Sequence, residues 1–126
     1  MNSYKDLKVW QKSVALCTEI YKATNNFPKS EIYGITSQIR RSSVSIPSNI
    51  AEGNCRGHKE YIQFLRIAFG SGGELETQLI VSLNIEYLSK KEYEHLNILL
   101  EEIMKMLNGL ISSLIYSSPK RLVPSP

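Results

Sequence analysis

The sequence predicts an all-α protein, an antiparallel up-down-up-down four-helix bundle with short turns that covers residues 1–116. Apolar residues recur at spacings of three and four in four segments, which is the period of a helix. No segment alternates apolar and polar residues as a half-buried strand would. Short turns between long amphipathic segments make consecutive helices antiparallel neighbours. The chain has 126 residues, 42% hydrophobic and 21% charged, which suits one globular domain.

The first predicted helix runs from about Asp6 to Thr24. Asp6 is a suitable N-cap because its carboxylate can accept a backbone N–H at the helix start. Asparagine and proline at 25–28 end this helix, since asparagine favours turns and proline cannot continue the hydrogen-bond ladder. The residues expected on its buried face are Leu7, Trp10, Val14, Cys17 and Tyr21.

The second predicted helix runs from about Ser30, its N-cap, to Cys55. Pro47 lies inside it and removes one backbone donor, so a bend is expected there. Small residues would let another helix approach closely: Ser42, Ser43, Ser45 and Ala51. The expected buried stripe is Ile32, Ile35, Ile39, Ile46 and Ile50.

The third predicted helix runs from about His58 to Tyr87 and contains glycines at 70, 72 and 73. Each glycine costs a helix interior roughly 1 kcal/mol relative to alanine. The apolar stripe stays in phase across them, which favours a continuous helix with closely packed neighbours over a break. The expected face comprises Tyr61, Phe64, Leu65, Ala68, Leu75 and Leu79, extended by Phe69, Ile80, Leu83 and Tyr87.

The fourth predicted helix begins at a capping box, in which Ser89 and Glu92 each satisfy a free backbone donor. Its apolar face has near-heptad spacing: Leu96, Leu99, Leu100, Ile103, Leu107, Leu110, Ile111 and Leu114. Helices three and four carry more apolar surface than one bundle core needs, so a homo-oligomer is expected. Residues 117–126, SSPKRLVPSP, are predicted to be a disordered C-terminal tail.

We find no pattern typical of a metal, cofactor or catalytic site, so the expectation is a non-enzymatic protein. Cys55-x-x-His58 is half a zinc motif with no matching second pair. Glu92-x-x-His95 occurs once, whereas a di-iron bundle needs that motif on two helices. Residues 70–73, GSGG, lack the lysine and the preceding strand of a phosphate-binding loop.

No apolar signal core follows the N-terminus, and the longest uncharged run, 106–119, is too short and polar to span a bilayer. Cytoplasmic localisation is therefore expected, without a membrane partner. The two cysteines are then expected to remain free thiols.

Basic side chains are the remaining candidate functional feature. The formal net charge is +3. If they converge, they make an anion-binding patch suited to the phosphates of RNA or DNA. Alternatively, the lysines only solvate an outer face, and Arg40 and Arg41 pair with Glu52, Glu74 or Glu76 within or between subunits. The candidate nucleic-acid-binding residues are Arg40, Arg41, Arg56, Lys59, Arg66, Lys8 and Lys12.

Three stretches carry a family resemblance: YKDLKVWQKS, FPKSEIYGITSQIRRSSVSIPSNIAEG and EYIQFLRIAFGSGGELETQL. Together they resemble the four-helix-bundle proteins encoded by intervening sequences in bacterial large-subunit ribosomal RNA genes. The match covers roughly Tyr4 to Tyr87, and the fourth helix matches in pattern only. Ser42 and Ser43 stand where alanines are typical of that family.

This resemblance implies an antiparallel bundle that assembles into a homopentameric ring. The family also includes accessory variability proteins of diversity-generating retroelements, which implies nucleic acid and a reverse transcriptase as partners. Our interpretation is a non-enzymatic, oligomeric helical scaffold that binds RNA or DNA through backbone phosphates. The alternative is a protein-interaction or structural oligomer with no nucleic-acid role.

Overall fold

The computed structural model describes residues 3–117 and contains four α-helices. They are α1 (Lys8–Thr24), α2 (Ile35–Asn54), α3 (His58–Asn84) and α4 (Lys90–Tyr116). Two 3-10 turns, Tyr4–Asp6 and Lys29–Glu31, precede α1 and α2. Residues 3–117 contain no strand, which confirms the all-α prediction. The predicted tail lies, apart from Ser117, outside the described residues.

Each helix packs against two others. Helix α2 contacts α1 and α3, and α4 contacts the same two helices from the other side. This cyclic order of contacts is consistent with a four-helix bundle, with one core between the helices. Within residues 3–117, no helix has the combination of length and apolar character needed to cross a membrane.

The start of α1 differs from the prediction. Asp6 belongs to the 3-10 turn, where its Oδ2 accepts the backbone N–H of Ser3 at 3.1 Å. The Ser3 hydroxyl in turn accepts the N–H of Lys5 at 3.0 Å. The prediction that Asp6 caps α1 is therefore wrong, because Asp6 and Ser3 cap the shorter turn and α1 begins after Leu7.

Helix α2 also begins later than predicted. Ser30 lies within the 3-10 turn, and Gly34 is the N-cap. Glu31 connects this linker to two elements: its Oε1 accepts the N–H of Ile35 at 3.4 Å, and its Oε2 accepts the hydroxyl of Tyr87 at 2.9 Å. That hydrogen bond raises the pKa of Tyr87. Glu31 thus belongs to the linker, and α2 begins after Gly34.

The C-terminal end of α3 falls three residues before the predicted Tyr87. Glu86 adopts a left-handed backbone, with φ of 65°. The backbone N–H groups of Tyr87 and Leu88 both donate to the carbonyl of Ser82, at 2.9 and 3.2 Å. These bonds satisfy a carbonyl at the helix end and turn the chain towards α4.

The buried face of α1 is offset from the predicted one. Val14 and Tyr21, both predicted to be buried, are 37% and 42% exposed. Ser13 and Thr24 occupy core positions because their hydroxyls donate to carbonyls of their own helix, at 2.9 Å to Trp10 and 2.8 Å to Ile20. The side chains that α1 buries are Val9, Ser13, Leu16, Ile20 and Thr24.

Helices α2 and α3 approach each other closely. A Cβ on Gly53 would lie 2.6 Å from Cβ of Phe64, so only glycine fits there without a shift. Ser45 and Ser71 share a hydrogen bond of 2.7 Å between the two helices. Pro47 lies inside α2 and is buried. The prediction that Ile32 belongs to the buried stripe is wrong, because Ile32 precedes the helix and is exposed.

Helix α3 is continuous across the glycines, as predicted. Gly72 is buried against the side chain of Met104, whereas Gly70 and Gly73 have open space where a Cβ would be. Close packing therefore accounts for one of the three glycines. Phe69 and Ile80, which were expected on the buried face, are exposed because they lie at its edge.

Helix α4 agrees closely with the prediction. The capping box is present: the Ser89 hydroxyl accepts the N–H of Glu92 at 3.0 Å, and Glu92 Oε1 accepts the N–H of Ser89 at 2.8 Å. The predicted apolar face is turned into the core. The side chains that α4 buries are Leu96, Leu100, Ile103, Leu107 and Ile111.

Candidate nucleic-acid interface

Arg40 is held by the C-terminal end of α1. Its Nε donates to Thr24 Oγ1 at 2.9 Å, and its Nη2 donates to Asn25 Oδ1 at 3.2 Å and to the carbonyl of Tyr21 at 3.5 Å. The guanidinium also lies over the Tyr21 ring, 4.5 Å from its centroid. A cation is favoured beside these last carbonyls of a helix. Arg40 thus joins α1 to α2, and the predicted pairing with a glutamate is wrong within the subunit.

Arg41 makes no such contacts with α1. It lines an open groove of about 730 Å³ together with Glu74 of α3, Val44 of α2 and Tyr21 of α1. The guanidinium is exposed and has no hydrogen-bond or ion-pair partner among residues 3–117. Glu74 is likewise exposed and unpaired in that range. The two opposite charges share one groove without forming an ion pair in this subunit.

Arg56 follows the end of α2 and is already paired. Its Nη2 lies 2.6 Å from Glu52 Oε2, and its guanidinium lies 5.0 Å from the centroid of the Phe64 ring. Both partners of the ion pair are about half exposed, so the pair adds little to stability. Glu52 therefore pairs with Arg56 and not with Arg40 or Arg41.

The remaining candidates divide into one paired and three unpaired cations. Lys12 Nζ lies 3.3 Å from Glu102 Oε2 and so connects α1 to α4. Lys8, Lys59 and Arg66 are exposed and make no hydrogen bond or ion pair with any described residue. These three side chains keep their full capacity to bind an anion.

The candidates do not form one patch. Contacts of Cys17 with Ser43 and of Thr24 with Arg40 show that later residues of α1 meet earlier residues of α2. Lys8, nine residues before Cys17, therefore lies near the level of the end of α2. Lys8, Arg56 and Lys59 thus share one end of the bundle, whereas Arg41 lies about 22 Å along α2 from that end.

The thiols and imidazoles lie in separate environments. His58 Nε2 hydrogen-bonds to the carbonyl of Leu114 at 2.9 Å, and His95 Nε2 lies 3.3 Å from Glu19 Oε1. Cys17 Sγ donates to the carbonyl of Ser43 at 3.0 Å, while Cys55 is exposed. In the described range, no three or more His, Cys, Asp or Glu side chains cluster as metal ligands.

The two thiols should differ in reactivity. Burial raises the pKa of Cys17, which lowers its thiolate fraction, and the thiolate is the reactive form. We expect an aromatic disulfide reagent at pH 8 to modify Cys55 rapidly and Cys17 at least tenfold more slowly. The Cys55→Ser variant isolates the slow reaction. Equal rates in the native protein would contradict the buried position of Cys17.

Sequence reasoning missed several residues that shape these surfaces. Thr24 and Asn25 were interpreted as the end of α1, yet they supply hydrogen-bond acceptors to Arg40. Val44 and Ile67 were not singled out, although both are exposed. Their signal in the sequence is their position around the helix. Each lies away from the face that carries the buried residues of its own helix.

Comparison with known proteins identifies the family of this chain. The model of the 23S rRNA-intervening sequence protein family matches residues 5–109. A crystal structure of a protein of unknown function from the S23 ribosomal protein family of Bacteroides thetaiotaomicron is similar, with a TM-score of 0.74 and 31% sequence identity. That similarity covers 82% of this chain and 97% of the other. Curated proteins gave no match. The chain therefore belongs to the 23S rRNA-intervening sequence protein family.

Proposed function

We propose that this protein is a non-enzymatic, homo-oligomeric scaffold that binds nucleic acid through backbone phosphates. The observation that carries the proposal is that three of the candidate cations, Lys8, Lys59 and Arg66, are exposed and have no acidic partner among residues 3–117. Charged side chains of this kind bind phosphates by releasing condensed counterions, which requires no base-specific contact.

The end of the bundle that contains Lys8 and Lys59 is the proposed binding surface. Arg56 adds a third cation there, although Glu52 neutralises part of its charge. The His58–Leu114 hydrogen bond brings the end of α4 to the same place. RNA is the first nucleic acid to test, because the family is named for ribosomal RNA intervening sequences.

The proposed scaffold is an antiparallel bundle, and the contacts between neighbouring helices support this topology. Along each pair of helices, later residues of one meet earlier residues of the other. The supporting pairs are Cys17–Ser43, Thr24–Arg40, Ser45–Ser71, Gly53–Phe64, His58–Leu114, Gly72–Met104, Lys12–Glu102 and Glu19–His95. The proposed assembly is a pentameric ring, with five times the 14.3 kDa mass of the chain.

Binding to labelled single-stranded RNA across a salt series tests the function. We expect log Kd to rise linearly with log salt concentration, because each phosphate contact releases counterions. Replacing Lys8 and Lys59 together with alanine should reduce the slope by about 1.4, at about 0.7 for each contact. The measurement is fluorescence anisotropy at four or more salt concentrations.

The matched control replaces Lys90 and Lys91 with alanine. These lysines are also exposed, but they lie about 36 Å along α4 from Leu114, at the other end of the bundle. The control should retain the slope of the native protein. A Kd that does not change with salt concentration would argue against the proposed surface. An equal reduction of the slope in both double variants would do the same.

A second candidate is a protein-interaction or structural oligomer without a nucleic-acid role. It is supported by the contacts that engage Arg40, Arg56 and Lys12 within the subunit. It predicts an assembled protein that retains no RNA at low salt. A reverse transcriptase is then one partner to test by co-purification of the two proteins.

A further inference from the structure

Exposed apolar side chains lie on α1, α2 and α3, and four of them share one side of the bundle, whereas Phe69 and Ile80 lie on another side of α3. Val14 and Tyr21 of α1, Val44 of α2 and Ile67 of α3 are each between 37% and 51% exposed. Helix α4 differs, because its exposed large apolar residues within the described range are Ile98 and Tyr116, among lysine, glutamate, asparagine and serine. One side of the bundle is thus partly apolar, while the outer surface of α4 is polar.

These residues belong to one continuous surface. Tyr21 and Arg40 line both the groove that contains Arg41 and Glu74 and a second groove, of about 410 Å³, beside Val14. Ile67 lies seven residues, or two turns, before Glu74 and so faces the same side of α3. We name this surface the α2 face and define it by Val14, Tyr21, Arg41, Val44, Ile67 and Glu74.

Charge indicates what covers the α2 face. Arg41 and Glu74 carry opposite charges, line one groove and have no partner among residues 3–117. A phosphate chain would meet repulsion from the carboxylate of Glu74. A second copy of this chain supplies both an acid for Arg41 and a base for Glu74, together with apolar side chains for Val44 and Ile67.

We infer that the α2 face docks a second copy of this chain, with Arg41 of one copy paired to Glu74 of the next. This inference rests on the oligomeric scaffold proposed above and assigns its interface. The α1–α2 edge of one copy, with Val14, Tyr21 and Arg41, packs on the α3 edge of its neighbour. Two different edges make a head-to-tail contact, which generates a ring when the rotation between successive copies closes. Arg41 is then an interface residue, and Lys8, Lys59 and Arg66 are the residues that contact phosphates.

Charge reversal tests the pairing. Arg41→Glu alone and Glu74→Arg alone each place like charges together at every interface, so the mass should fall from that of the oligomer towards 14.3 kDa. The double variant, Arg41→Glu with Glu74→Arg, restores opposite charges and should regain the native mass. The measurement is light scattering after size exclusion at about 50 μM chain, with circular dichroism to show that each variant remains helical.

Lys105→Glu is the control, because Lys105 is exposed on the polar surface of α4 and undergoes the same change in charge. It should retain the mass of the native oligomer. If the native protein is an oligomer and Arg41→Glu leaves its mass unchanged, or the double variant stays dissociated, the interface is wrong while the proposed function stands. A native dimer overturns the head-to-tail arrangement. A native monomer overturns both the interface and the oligomeric part of the proposed function.

Discussion

Replacing Ile20 with alanine should lower the free energy of unfolding by about 2–5 kcal/mol. Ile20 has no solvent-exposed surface, and it lies on the α1 face that packs into the core. The change removes three buried carbon atoms and leaves a cavity that the surrounding helices can fill only in part. Urea unfolding followed by circular dichroism measures the loss, as a shift of the midpoint at constant slope.

The matched control for this change is Ile98→Ala. The same three carbons are removed, but Ile98 is 65% exposed on the polar surface of α4. Its effect should stay within about 0.5 kcal/mol, since little apolar contact is lost. Equal losses in both variants, measured at the same chain concentration, would show that α1 does not bury the face described above.

Replacing Gly53 with valine should cost about 2–3 kcal/mol. Even the first added carbon would lie 2.6 Å from Cβ of Phe64 and 3.3 Å from the carbonyl oxygen of Tyr61. These atoms belong to α3 close to its backbone, so relief requires α2 and α3 to move apart. The expected result is a lower urea midpoint.

Gly109→Val provides the comparison for Gly53. Gly109 also lies inside a helix, but nothing is within 4 Å of the position that its Cβ would occupy. Valine has a somewhat higher helix propensity than glycine, so this variant should be neutral or slightly stabilising. A Gly53→Val variant as stable as Gly109→Val would contradict the close approach of α2 and α3.

The fold was predictable where one strong signal acts alone. Helix α4 has a capping box and a continuous apolar stripe, and both its start and its buried face agree with the prediction. Helix α1 carries two adjacent stripes. The predicted stripe contains Val14 and Tyr21, yet the core takes the adjacent stripe that contains Ser13 and Thr24. Hydrogen bonds to their own helix make those hydroxyls suitable for burial, which composition alone does not reveal.

The candidate site was predictable as a set of residues but not as an arrangement. Neighbours in sequence have different roles: Arg40 is bound to the end of α1, whereas Arg41, one position later, has no partner among residues 3–117. A step of one residue turns a side chain by about 100° around the helix, so the partner depends on which neighbouring helix lies in that direction. Charge counts contain no such information.

The hydrogen bond between Glu31 and Tyr87 joins parts of the chain 56 residues apart. The ring of Tyr87 also lies against that of Phe27, with 5.3 Å between centroids. The α1–α2 linker and the α3–α4 turn therefore share their contacts, and neither can open without loosening the other. We therefore expect the two connections to unfold together as one local unit.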